Sequence, residues 1–231
     1  MNQIKNCIEK LLAYIVQAEK KHQRKTDSVK LVIVSKAQSV ESIRSVIECG
    51  QLQFGESYLQ EALTKINTIA NPKVIWHYIG RIQTSKIKAI ANNFSWVQSV
   101  ASEKHAKLLA QSRSPLLSPL NVCIQVNICN EKSKGGVSPD KILSLAQVIS
   151  SQPQLKLRGI MAIPPICNNF DSQVKIFELV KNEFDKLIAE GFKLDTLSMG
   201  MSNDYEAAIA AGATMIRIGS AIFGPRESTF E

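Results

Sequence analysis

Four stretches of the chain carry side chains that could do chemistry. Lys36 follows the apolar run Leu31-Val32-Ile33-Val34 and, at the period of two of a strand, shares a face with Val32 and Val34. If that face is the inside of a barrel, the ammonium is partly desolvated. Desolvation lowers a lysine pKa, and a neutral amine is what attacks an aldehyde to form a Schiff base. The plainer alternative is a lysine at a strand end snorkelling to solvent. Nearer the C-terminus, Ser202-Asn203-Asp204 opens a helical pattern that runs to Gly212, with Ser202 or Asn203 as its N-cap. Gly219-Ser220 likewise precedes a short helical turn, Ala221-Ile222-Phe223. Backbone N–H groups at a helix start bind phosphate and a glycine lets the anion approach, although ordinary capping would leave the same residues. Arg217, just before them, reads as a fixed charge for a ring nitrogen or phosphate, or as a surface salt-bridge arginine. His77 is a candidate base, but a lone strand histidine is more often a packed, hydrogen-bonded core group.

Other chemistries find no support. No His/Asp/Glu group has metal-ligand spacing, so no metal site is expected, and no G-x-S-x-G, Walker A or G-x-G-x-x-G motif occurs. Five cysteines without a CxxC pair fit reduced thiols better than a disulfide framework. No apolar run is long enough to cross a membrane, and the first residues lack the pattern of a signal peptide, so the expected location is the cytoplasm. The net charge of +8 could attract nucleic acid or a small phosphorylated ligand. Its densest run, Lys20-Lys21-His22-Gln23-Arg24-Lys25, reads as a solvated connector, and no nucleic-acid-binding signature accompanies it.

The elements that must position these residues follow a rhythm. An amphipathic helix over 3–20 opens the chain. Short apolar runs follow at 31–34, 52–54, 74–79, 96–98, 122–128, 157–163, 196–199 and 214–218, most of them separated by helical patterns. The clearest helix covers 170–189 and stops at Gly191; another, over Val40, Ile43 and Ile47, stops at Gly50. Unalternated apolar strands suit a parallel sheet buried on both faces. About eight of them in 231 residues predict one (β/α)8 TIM-type barrel domain over 1–231, with a doubly wound sheet as the alternative. In such barrels the site lies at the C-terminal ends of the strands, which is where Lys36, Ser57, His77, Asn127, Met199, Ser202, Arg217, Gly219 and Ser220 cluster.

Eight collinear segments resemble the pyridoxal phosphate homeostasis proteins, the YggS/PROSC family. They are Val34-Ser35-Lys36, Phe54 to Glu61, Trp76 to Gln83, Val126-Asn127-Ile128, Lys132 to Gly136, Leu157 to Pro164, Leu197 to Asp204 and Gly219 to Gly224. The resemblance implies a fold-type-III-like barrel similar to the N-terminal domain of alanine racemase, with pyridoxal 5'-phosphate on Lys36. It also implies that Arg217 faces the pyridine nitrogen, that Ser202, Gly219 and Ser220 hold the phosphate, and that Asn127 and Met199 line the pocket. Ser57 stands where the family commonly has asparagine, and Gln38 where a second lysine is frequent.

An arginine at the ring nitrogen makes a poor electron sink. The chain also ends about seven residues after Gly224, so the reading expects no second domain to supply an opposing catalytic group. It therefore expects a monomeric carrier and buffer of pyridoxal 5'-phosphate, with dependent apoenzymes as recipients and no nucleic acid or membrane partner. The alternative is a small amino-acid racemase that uses His77 or Tyr78 as its second group.

Overall fold

The computed structural model describes residues 2–131, 134–165, 167 and 169–224; Lys132-Ser133 of the fifth resembling segment lies outside them. Helix α1 (Asn2–Lys21) leads into β1 (Lys30–Val34), α2 (Val40–Glu48), β2 (Gln53–Glu56), α3 (Leu59–Ile69) and β3 (Ile75–Tyr78). The alternation continues through α4 (Ile87–Asn93), β4 (Trp96–Val100), α5 (Glu103–Ser112), β5 (Leu120–Val126), α6 (Ile142–Ser150) and β6 (Leu155–Ala162). It ends with α7 (Phe170–Ala189), β7 (Thr196–Ser198), α8 (Tyr205–Ala210), β8 (Met215–Ile218) and α9 (Ser220–Phe223). The strands pair in chain order, all parallel, and β8 closes on β1 with Lys30 opposite Met215 and Ile33 opposite Ile218. The barrel is closed, and the doubly wound alternative is excluded.

Alternation along each strand divides the core into two layers. Val32, Trp96, Cys123, Met161 and Met215 pack against one another inside the barrel. Residues of opposite parity, such as Ile33, Phe54, Val97, Ile124, Ile160 and Ile216, face the helices. Each such buried aliphatic side chain contributes about 1.5–3 kcal/mol. The opening helix buries Ile8, Leu11, Ile15 and Ala18 against this outer layer and packs beside α2, α8 and α9.

Helix ends fall where the sequence punctuates them. Gly50, Gly191 and Gly212 all take positive φ just past a helix. The start of α8 differs from expectation. Residues 202–204 form a turn, so Asp204 is the N-cap, not Ser202 or Asn203, and its Oδ1 accepts from Met201 N at 2.6 Å. The basic run is partly absorbed by the fold: Arg24 donates to Ile209 O (3.0 Å) and Ala213 O (3.1 Å) at the end of α8, and Lys21 pairs with Glu206 at 2.8 Å. Among the described residues no helix is long and apolar enough to cross a membrane.

Candidate functional site

A cavity of 340 Å³ opens at the C-terminal ends of the strands. One wall comes from β1 and β2, with Val34, Lys36, Gln38 and Ser57; the other comes from the loops after β7 and β8, with Met201, Ser202, Asp204, Arg217, Gly219 and Ser220. Six residues singled out from the sequence thus share one cavity.

Lys36 continues the inward face of β1, two residues beyond Val34 and four beyond the interior Val32. Its neighbours are held from the other side of the sheet. Ser35, fully buried, donates from Oγ to Glu56 Oε1 at 2.6 Å, and Ser35 O accepts from Lys65 Nζ at 2.6 Å. Ala37 has a left-handed backbone (φ +60°), and its N–H donates to Glu61 Oε1 at 2.7 Å. Lys65 Nζ also pairs with Glu56 Oε1 at 2.9 Å and with Glu61 Oε1. Burial raises the pKa of Glu56 above its ordinary value, opposed by the bonds from Lys65 and Ser35. On the adjoining edge, Ser57 passes so close to the next strand's loop that a Cβ at Gly80 would lie 2.1 Å from Ser57 O. That approach requires the glycine.

The opposite wall is built around a buried cation. Arg217 lies on the inward face of β8 and is 3% exposed. Nη1 donates to Ser198 Oγ at 2.6 Å and Nη2 to Ala162 O at 2.9 Å. Burial pulls its pKa down to about 10, against the attraction of Asp204, so it stays charged at neutral pH. Below it runs a chain of neutral hydrogen bonds. Ser198 Oγ donates to Gln98 Oε1 (2.7 Å), Gln98 Nε2 lies 2.9 Å from His77 Nδ1, and His77 Nε2 lies 3.2 Å from Gln53 Oε1. With Gln98 donating, Nδ1 is the acceptor and Nε2 carries the proton. The hydroxyls of Ser220 and Ser202 meet at 2.9 Å and tie the two loops together. A Cβ at Gly219 would approach Val34 O at 3.0 Å. The first N–H groups of α9, from Ser220 and Ala221, have no acceptor within the helix and face the start of the turn.

Three expected pocket residues do not line the cavity. His77 points into the barrel but sits too deep: it is fully buried, stacked on Trp96 at 5.2 Å, and burial lowers its pKa to about 3. Met199 is buried in the outer layer, because it has the outward parity of Leu197; Gly200 (φ +96°) then turns the chain and delivers Met201 to the cavity instead. Asn127 has left the strand and closes its own loop, donating to Glu131 O at 2.8 Å and accepting from Glu131 N at 3.0 Å. Tyr78 also faces outward, its hydroxyl donating to Arg81 O at 3.0 Å. Neither His77 nor Tyr78 therefore reaches the cavity as a second acid or base. The sequence reading missed Met201, Asp204 and the Lys65 cluster. Parity would have removed Met199, which shares a face with Leu197, but Met201 has the same parity and reaches the cavity only because Gly200 turns the chain. Among the described residues no group of His, Cys, Asp and Glu could hold a metal.

Comparison with known proteins agrees with this architecture. The family model for the alanine racemase N-terminal domain matches residues 12–227. The pyridoxal phosphate homeostasis protein of Vibrio cholerae is 41% identical over 231 residues, covering 98% of each chain. That of Escherichia coli K12 is 38% identical over 230 residues, again covering 98% of each. Neither relative is named for a catalytic activity. Among solved structures, PipY of Synechococcus elongatus with PLP bound superposes with a TM-score of 0.84 at 30% identity, covering 96% of this chain and all of that one. Alanine racemase from E. faecalis shares the fold alone: 20% identity, TM-score 0.66, 93% of this chain and 58% of the enzyme. By full-length similarity and by its closed barrel, the chain belongs to the pyridoxal phosphate homeostasis protein family, built on the alanine racemase N-terminal domain.

Proposed function

We propose that this chain binds pyridoxal 5'-phosphate in the cavity between β1 and β8, carries it covalently on Lys36, and stores and hands on the cofactor without turning over a substrate. The observation that carries this reading is the convergence of an interior lysine, a buried arginine and a serine-paired phosphate cradle on one cavity of suitable size. The residues present fit the group. Bound there, the cofactor supplies an aldehyde that condenses with an amine, releasing one water. Lys36 Nζ supplies the amine from the cavity wall. Arg217, already bonded through Nη1 and Nη2, presents a fixed charge that keeps a ring nitrogen unprotonated. Ser202, Ser220 and the backbone at Gly219 offer donors and room for a phosphate.

The same reading assigns residues 1–231 to one cofactor-binding domain that works as a monomer in the cytoplasm, with cofactor-dependent apoenzymes as recipients. It gives Ser57 a place at the cavity edge and leaves His77, Asn127 and Met199 as supports. Storage is favoured over racemisation because His77 and Tyr78, the two side chains the sequence offered as an opposing acid or base, point elsewhere. The test is an absorbance spectrum of the loaded protein, borohydride reduction and peptide mass mapping. A pyridoxyl mass on Lys36, with no racemisation of added amino acids, is expected. A protein that stays colourless with added cofactor would overturn the reading, and racemisation lost in Lys36→Ala would replace storage with catalysis.

A further inference from the structure

The ammonium of Lys65 has three N–H donors, and the structure gives it three acceptors: Ser35 O, Glu56 Oε1 and Glu61 Oε1. It is 4% exposed, so this second lysine is saturated and is no rival for an aldehyde. Its partners are unusual in where they lead. Ser35 and Ala37 are the two chain neighbours of Lys36, and each is bonded to the cluster by its own backbone or hydroxyl group. The cluster comes from β2 and α3 and lies in the layer between strand and helix, behind the cavity wall. It therefore grips the peptide on either side of Lys36 without entering the cavity. Ala37 adds a reason for such a grip. A left-handed alanine is a costly conformation that persists only where its surroundings hold it, and here Glu61 accepts its N–H. The sharp turn at Ala37 sends the main chain away to α2, so that the side chain of Lys36 continues the inward face of β1.

We propose that Lys65, Glu56 and Glu61 are positioning residues: through Ser35 and Ala37 they fix the anchor of Lys36 and so set its reactivity toward an aldehyde. This rests on the reading of Lys36 as the residue that carries the cofactor. Reaction rates of held groups are sensitive to displacements of about 1 Å, so a loosened anchor should cost reactivity before it costs ligand affinity.

Two variants test this. Glu61→Ala frees Ala37 while leaving Lys65 on Glu56 and Ser35; the pair Lys65→Met with Glu56→Gln frees Ser35 O while leaving Glu61 on Ala37, and strands no buried charge. Three quantities are read in each. The first is the rate of borohydride-trapped labelling of Lys36 in cofactor-free protein by a small neutral aldehyde. The second is the pH midpoint of the visible band after loading with pyridoxal phosphate. The third is affinity for a pyridoxine phosphate analogue that lacks the aldehyde. Labelling slowed about tenfold and a shifted midpoint, with analogue affinity held within twofold, are expected. Unchanged labelling and midpoint, even with a lower Tm, would make the cluster a fold stabiliser only and overturn the proposal. Loss of analogue binding in step with labelling would overturn it too, since the cluster would then hold the whole cavity. Labelling of the unaltered protein elsewhere than Lys36 would instead sink the functional reading.

Discussion

The two walls of the cavity are held from opposite sides of the barrel. On the β1 side, Lys36 is anchored from outside by the ionic group of Lys65, Glu56 and Glu61. On the β8 side, Arg217 is anchored from inside by neutral partners, Ser198 and Ala162 O, backed by Gln98, His77 and Gln53. The difference follows from what each wall must present. On the proposed reading the β1 wall presents an amine, and a grip on the backbone either side of Lys36 fixes where that side chain starts. An arginine that must remain a cation can be held directly by its guanidinium, since carbonyl and hydroxyl oxygens leave its charge intact.

This contrast can be broken at several points. Lys36→Ala should have the largest effect on function and little on fold: no pyridoxyl mass after reduction, with the thermal midpoint near that of the unaltered protein. Lys65→Met should act on the fold as well as on Lys36, with a loss of about 3–5 kcal/mol in urea unfolding, because two carboxylates lose their buried cation. Adding Glu56→Gln should recover part of that loss.

The walls should also answer pH with opposite sign. His77 has a folded pKa near 3, below its ordinary 6.5. Its contribution is complete above pH 6.5 and is lost as pH falls toward 3, at roughly 1.4 kcal/mol per pH unit. Glu56 has a raised pKa, so its contribution is complete below 4.5 and is lost as pH rises through the folded value. Urea midpoints between pH 7 and 5 should therefore fall less steeply in His77→Gln, while Glu56→Gln should lose the stability that the unaltered protein gains on acidification toward 4.5. Equal slopes in all three proteins would remove the distinction. Ser198→Ala, which strips Arg217 of one acceptor and Gln98 of one donor, should cost about 1–3 kcal/mol. Ser220→Ala should do least, about 0.5–1 kcal/mol of ligand affinity from a partly exposed hydroxyl, read by titration.

Much of this was legible in the chain. Eight apolar runs separated by helical patterns gave the barrel, because parallel strands covered on both faces leave a continuous apolar signature. Parity put Lys36 inside, and strand ends gathered Ser202, Arg217, Gly219 and Ser220. What parity could not supply was depth: His77 and Lys36 both face inward, yet one sits within its strand and the other two residues beyond the end of its own. Supports were harder still. Lys65 looks like one more helical lysine in the sequence. Its role depends on β2 and α3 meeting the loop after β1, about thirty residues away along the chain, and that contact exists only once the barrel has closed.

Both tryptophans of the chain lie in neighbouring strands of this barrel. Trp76 packs in the outer layer against Phe54, and Trp96 lies inside between His77 and the guanidinium of Arg158, 4.6 Å from its ring centroid. Each indole is buried and fixed in orientation, so its emission should be steady from one molecule to the next. A chromophore held at the mouth of the same small barrel would drain that emission by resonance energy transfer. The fold thus carries its own optical gauge of how full it is, and loss of bound cofactor should read out in real time as a rise in fluorescence.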